Sequence, residues 1–218
     1  WKRNGKKGGQ SGLHQGIDEV SLKELLSTLE TELKSNRSIA SANFMRSFID
    51  YQMQGVESRY WLDTTPPNLM RADEIVRLMP GVRFIHMIRD GRDVSSSVVR
   101  ELWGPNEHFA ALQWWEKRLK TILQATSEIS DQVLHVWLED LVVNDREHQL
   151  DRILNFLGLN RDQRLVDYFE CEVTPQASHA GRWSREVEYV DKFNTRYEKV
   201  LNSLQELGLP QPTKQISN

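Results

Sequence analysis

One cysteine in 218 residues, Cys171, leaves no partner for an internal disulfide and fits a reducing compartment. No apolar run approaches the roughly 18–20 residues that a membrane-spanning helix needs, and no signal-peptide core is present. Neither sign of charge dominates: 28 Lys and Arg stand against 31 Asp and Glu, for a net charge of −3. That balance argues against a general nucleic-acid coat or a polybasic membrane protein, while local basic sites stay open. Internal repeats are absent, and the six histidines are scattered with none paired at metal-ligand spacing. The chain also lacks a starting Met; it opens on Trp1, as a processed chain or a fragment does.

What is present is the composition of a folded globular protein, 39% hydrophobic and 27% charged. A chain of this length buries about 70% of its unfolded surface, so neither disulfide nor metal is needed for stability. Residues 1–20 read as a flexible Gly/Lys-rich segment: residues 1–16 hold five glycines and four cations without one acid. The Gly-Lys-Lys-Gly-Gly run at 5–9 lacks the spacing and the preceding strand of a phosphate-binding loop. One domain is expected over 21–210, followed by a tail at 211–218.

Periodicity supplies the elements. Ser21-Leu22-Lys23-Glu24 reads as a capping box opening a helix with Leu22, Leu25, Leu26, Leu29 and Leu33 on one face. A second helix is expected over 40–54, then a short strand Arg59–Leu62 stopped by Thr64-Thr65-Pro66-Pro67. Asn68 reads as the cap of a helix carrying Leu69, Ala72, Ile75, Val76 and Met79. Val82–Ile88 has the length and β-branched content of a buried strand, and a turn at 89–93 leads into a helix through Val94, Val98 and Val99. A long helix over 109–125, a strand Val133–Leu138, helices over 146–157 and 162–169, a loop at 172–185 and a closing helix over 187–207 complete the chain. Strands alternating with helices imply an α/β protein, a parallel sheet flanked by helices in a single domain.

In such a sheet, ligands sit beyond the carboxyl ends of strands, near helix N-termini. Arg89 is the first residue past a strand, Asp93 reads as the N-cap of the next helix, and Ser97 falls one turn in. A strand-end Arg, a helix N-terminus and a first-turn hydroxyl together suit a phosphate. The alternative is a solvated turn in which the Arg and Asp residues of RDGRD pair with each other.

Arg89 with Ser97 eight residues on, after a buried strand, resembles the 3′-phosphate-binding element of the sulfotransferases. These enzymes use 3′-phosphoadenosine 5′-phosphosulfate, PAPS. Other segments agree in order: WLDTTPPN at 61–68, PGVRFIHMIRDGRDVSSSVV at 80–99, WGP at 103–105 with ALQWWEKRL at 111–119, VWLEDLVVN at 136–144 with LDRILNFLGL at 150–159, and HAGRW at 179–183. The resemblance covers about 59–207 and leans toward the bacterial and tyrosylprotein branches. It implies a P-loop-NTPase-like sulfotransferase fold and metal-independent transfer of a sulfuryl group from PAPS to a hydroxyl or amine. The acceptor is a small molecule, glycan or peptide, with no nucleic-acid partner.

The resemblance also implies roles. Arg89 and Ser97 hold the 3′-phosphate, assisted by Arg182 in the Gly181-Arg182-Trp183 loop, where Trp183 either stacks on adenine or anchors packing. Asp63 is the leading general base, or else a cap of the turn that follows it; His108 is a second base, or a solvated loop residue; His86, mid-strand, reads as core. Trp103, Trp114 and Trp115 line an acceptor site or the core. Two departures stand out. The family's Gly-rich 5′-phosphosulfate loop is absent, as expected if an N-terminal piece precedes Trp1, and Thr64 stands where many members carry Lys. Both departures suit a second reading, a non-catalytic domain binding nucleotide or sulfated glycan. A small-molecule kinase is a third, but neither a Walker Lys nor Mg²⁺ carboxylates are found.

Overall fold

A computed structural model describes residues 16–213 and, before them, only the backbone of two short antiparallel strands, β1 (Arg3–Asn4) and β2 (Gln10–Ser11). The rest of the Gly/Lys-rich segment, the 5–9 run included, and residues 214–218 of the tail lie outside the described residues. Contacts gather in two compact units: residues 1–68 with 74–81, and residues 69–73 with 82–218.

In the first unit, α1 (Glu19–Glu32) begins three residues earlier than the capping-box pattern implies. Asp18 caps it, accepting from the Val20 and Ser21 amides at 2.9 Å each, and the Ser21 hydroxyl donates to the same carboxylate at 2.5 Å. An aspartate placed there offers a full negative charge to the orphan amides, so it takes the role from the serine. Asn36 caps α2 (Arg37–Met53), which packs on α1 and buries Ala40 and Phe48. The expected strand over Arg59–Leu62 does not form; the segment is irregular, with Tyr60 and Leu62 exposed. Tyr, Trp and Leu favour strands, but a strand needs a partner ladder, and Trp61 Nε1 donates instead to Gln52 Oε1 of α2 at 2.7 Å. Asn68 caps no helix either: it lies in a 3-10 turn over Pro66–Arg71, before α3 (Ala72–Leu78), and its amide donates to Asp63.

The second unit holds a two-stranded parallel sheet, β3 (Phe84–Ile88) beside β4 (Val133–Trp137), both within a residue or two of their expected places. Between them run α4 (Gly91–Val98) and α5 (His108–Thr126), the crossover that a parallel pair requires. After β4 come a π-helical turn over Asp140–Asn144, α6 (Arg146–Leu157), α7 (Gln163–Glu172), the four-residue α8 (Pro175–Ser178), a 3-10 turn over Arg182–Arg185 and α9 (Val190–Glu206). Successive strand residues point to opposite faces. Ile88 and Trp137 join Leu112, Trp115, Leu119, Phe193, Tyr197 and Leu201 of α5 and α9. Ile85, Leu134 and Val136 meet Leu150, Leu154 and Phe169 of α6 and α7. At Gly91 a Cβ would come within 2.6 Å of the Trp115 ring, so only glycine lets α4 lie this close to α5.

One polar pair, a buried His86 and a half-buried His135, lies within this sheet. His86 and His135 are register partners, and their Nδ1 atoms lie 3.0 Å apart, a cross-strand contact that a search for local ligand spacing misses. One neutral ring donates to the other, and among the described residues no group of three or more metal-ligating side chains includes them. Burial, then the neighbouring imidazole, pull the His86 pKa from 6.5 down to about 3. The folded value lies below the unfolded one, so the unfolded chain binds the extra proton. The stability this neutral ring contributes is present above pH 6.5 and is lost as pH falls toward 3. His86→Leu removes that titration. Between pH 6.5 and 4 the wild type should lose stability relative to the variant by up to ~1.4 kcal/mol per pH unit, measured by urea unfolding at stepped pH. A pH-independent difference would show that the ring does not titrate in this way.

Candidate functional site

At the carboxyl end of β3 the chain turns through Arg89 and Asp90 into α4. Asp90, not Asp93, caps that helix, with Oδ1 accepting from the Arg92 amide at 2.8 Å. The same carboxylate takes the Arg92 guanidinium in a fork, Nε at 3.0 Å and Nη2 at 2.6 Å. Arg92 is only 4% exposed. Its Nη1 donates to Asn194 Oδ1 of α9 at 2.5 Å, and its charge lies 4.3 Å from the Trp183 ring centre and 4.4 Å from that of Tyr197. The Arg and Asp residues of this turn do pair, but in the interior rather than in solvent. A bidentate pair enclosed by two aromatic rings is the arrangement in which a buried guanidinium is tolerated. Burial lowers the Arg92 pKa, yet the bond from Asp90 and its charge outweigh that and hold it above the usual value.

Asp93 sits in the first turn, 2% exposed, and reaches across the chain. Its Oδ2 accepts the Gly181 amide at 2.7 Å and its Oδ1 the Trp183 amide at 3.0 Å. Burial pushes its pKa up while the two amides draw it down, and the net shift is upward. A third buried carboxyl, Glu139, follows β4. Its Oε1 accepts the Asp90 amide at 3.0 Å, and its Oε2 is buried without a hydrogen-bond partner. Burial raises its pKa from 4.5 to about 7. At the positive end of α4, the Arg92 amide is taken by Asp90, and Asp93 adds a second acid in the first turn.

Arg89 differs from Arg92. It is half-buried, its Nη2 donates to the His179 carbonyl at 3.2 Å, and its Nε is buried with no hydrogen-bond partner. Among the described residues no carboxylate lies within ion-pair distance of it. Ser97 is half-buried one helical turn beyond Asp93. The 179–183 loop is shaped by two left-handed residues, Gly181 at φ 78° and His179 at φ 53°. The second costs about 1 kcal/mol because it has a Cβ. Arg182 pairs with Glu186 at 2.9 Å, and Glu186 also binds Arg100 at 2.5 Å. Trp183 is 6% exposed and packs in the core under Arg92 rather than offering its face to a ligand.

The other sequence candidates have partners of their own. Asp63, in the first unit, accepts from the Thr65 amide (2.9 Å), the Thr65 hydroxyl (2.6 Å) and the Asn68 amide (2.7 Å). Partial burial raises its pKa, but those donors together hold it below the usual carboxylate range, and their geometry is that of the turn cap that was the alternative. His108 opens α5 and meets the Phe193 ring edge-on at 6.1 Å. Trp115 is core, whereas Trp103 is exposed and lies 6.0 Å from the half-buried Trp114.

The strand-end arginine, the turn and the C-terminal Gly-Arg-Trp loop thus come together in the second unit. Residues 5–163 match the model of a protein family described as the sulfotransferase family. The chain belongs to the sulfotransferase family. Protein-tyrosine sulfotransferase 2 of Gallus gallus is 26% identical over 144 residues, 63% of this chain and 38% of that protein. A Caenorhabditis briggsae relative is 28% identical over 101 residues, 44% of this chain and 36% of its own length. This family member therefore spans little more than a third of the curated relatives it matches. Among solved structures it is similar to the sulfotransferase domain from the curacin biosynthetic pathway, with TM-score 0.47 and 18% identity over 86% of this chain and 74% of that one.

Sequence reasoning passed over Glu139, Asn194 and Tyr197, since nothing local marks a side chain whose role lies across the fold. The Glu139 carboxyl gives a direct check. Its folded pKa lies above the unfolded one, so its contribution to stability is full below pH 4.5 and is lost as pH rises through 7. Glu139→Gln keeps the acceptor for the Asp90 amide and cannot ionise. Relative to wild type it should be about neutral at pH 5 and more stable by on the order of 2–3 kcal/mol at pH 8. Urea unfolding at the two pH values checks this, and equal differences at both would contradict it.

Proposed function

We propose that this chain takes part in moving a sulfuryl group from PAPS to a hydroxyl or amine acceptor, with Arg89 holding the 3′-phosphate, Ser97 beside it and Arg182 assisting. The observation that carries the reading is the state of Arg89: a strand-end guanidinium with no carboxylate partner among the described residues and a buried, unpaired Nε. Leaving a buried donor unsatisfied costs about 1–3 kcal/mol, and a phosphate oxygen is the partner its planar fork suits. In the reaction the acceptor atom attacks sulfur, the bond from sulfur to the 5′-phosphate oxygen breaks, and adenosine 3′,5′-bisphosphate leaves with the electron pair. The acceptor proton passes to a base, which the depressed pKa of Asp63 disfavours as that group. The name of the chicken relative, a protein-tyrosine sulfotransferase, points to the phenolic hydroxyl of a peptide tyrosine as the acceptor class.

The hydrogen bonds saturating Asp63, with Thr64 in place of a Lys, favour a second reading, a domain that binds the nucleotide without turnover. Binding is common to both readings, and sulfated product separates them.

Thermal-shift titration tests the binding. Adenosine 3′,5′-bisphosphate should stabilise the chain at lower concentration than AMP or ATP, in proportion to the logarithm of concentration over Kd. Arg89→Lys keeps the charge and loses the fork, so affinity for the bisphosphate should drop roughly ten- to a hundredfold, and Ser97→Ala should cost less. Unchanged preference for the 3′-phosphate in a folded Arg89→Lys protein would remove Arg89 from the site.

A further inference from the structure

Arg89 and Arg182 belong to segments about ninety residues apart in the chain, and neither is held by a carboxylate of the other's segment. Asp93 joins the segments through the backbone of the loop. Each of its oxygens takes one backbone amide, Gly181 on one and Trp183 on the other, so the carboxylate grips the loop on both sides of Arg182. The same loop presents the His179 carbonyl to Arg89 Nη2, which closes a circuit from β3 through α4 and the loop back to β3. The grip is not needed to finish α4, because Asp90 already caps it. Nor does the Trp183 side chain depend on it, since Arg92, Phe193 and the core hold the indole. What the two amide bonds fix is the path of the backbone from 181 to 183, and hence the direction in which Arg182 leaves it and the position of the carbonyl that orients Arg89.

We propose that Asp93 is a positioning residue for the anion site: it touches no ligand, but by clamping the Gly181 and Trp183 amides it sets where the Arg182 and Arg89 guanidinium groups meet a 3′-phosphate. The inference rests on the reading of Arg89 as a phosphate ligand. It adds that the site is assembled by a buried carboxylate rather than by the helix amides next to it. An aspartate is required because both oxygens accept; asparagine offers one acceptor and turns an NH₂ toward the second amide, donor against donor.

The experiment compares adenosine 3′,5′-bisphosphate with AMP on the full chain, for wild type, Asp93→Asn, Arg89→Lys and the double variant. Wild type should prefer the bisphosphate. Asp93→Asn should weaken the bisphosphate about tenfold and AMP less than about twofold, and in the Arg89→Lys background its effect should shrink to the part that acts through Arg182, so that the two changes are less than additive. An Asp93→Asn protein with a lowered Tm but wild-type selectivity would overturn the proposal and leave the anion site standing. Wild type without preference for the bisphosphate would overturn the site reading itself, and the clamp with it. Should Asp93→Asn not fold, amide hydrogen exchange in the wild type decides. Bisphosphate, and not AMP, should slow exchange at Gly181 and Trp183, and unchanged exchange at both amides under saturating bisphosphate would overturn the clamp.

Discussion

The buried Arg92 guanidinium is the point on which the second unit is assembled. It forks onto Asp90, bonds Asn194 and lies against the rings of Trp183 and Tyr197, so one cation ties the end of β3, the start of α4, the C-terminal loop and α9 together. Removing one member of such a buried pair leaves the other uncompensated, typically at 3–5 kcal/mol. Asp90 would be the group left behind, and Asp90 also offers its amide to Glu139 at the end of β4. Both strands of the sheet are therefore linked to the same charge.

Around that cation three acids are buried within reach of one another: Asp90, Asp93 and Glu139. A single guanidinium cannot neutralise three carboxylates in a poorly polarisable interior, and the structure relieves the excess in two ways. Asp93 is satisfied by two backbone amides. Glu139 is pushed toward the protonated form, chiefly by burial and then by its anionic neighbours Asp90 and Asp93. Arg89, at the rim of the same cluster, adds positive charge near Asp93 and retains an unpaired N–H. Charge is thus distributed from the interior outward, with the acids inside and the half-buried Arg89 beside them.

Much of this architecture was legible in the sequence, for identifiable reasons. The runs Val82–Ile88 and Val133–Leu138 are β-branched and apolar on both faces, and both became strands because helices cover each side of the sheet. The apolar and aromatic stripes of α5 and α9 were visible at helical spacing and pack as that spacing implies. Arg89 stood out because the residue after a buried strand has few reasons to be arginine. The misses were non-local. RYWLD has strand-like composition but no neighbour to pair with, and Ser21 matched a capping pattern that Asp18 fills with a stronger acceptor. In RDGRD the cap of α4 was expected at Asp93; Asp90 takes it instead, because the 179–183 loop, far away in sequence, claims Asp93.

The imidazole pair between the strands carries information about alignment. Parallel strands can slide, and in a short two-stranded sheet with mostly aliphatic side chains a slip of two residues still places apolar groups against apolar groups. Here such a slip would separate the Nδ1 atoms of His86 and His135 and set each ring against a hydrocarbon neighbour with a ring nitrogen unmet. A slip of one residue would turn one ring to the opposite face, among Leu134, Val136 and the side chains of α6 and α7. The pair therefore works as an index mark: it adds little that leucines would not add to cohesion, yet it makes one of several near-equivalent alignments the one in which the Nδ1 atoms of both rings meet. With the index set, Ile88 comes level with Trp137, and the two strand ends bring Asp90 and Glu139 to the same height above the sheet.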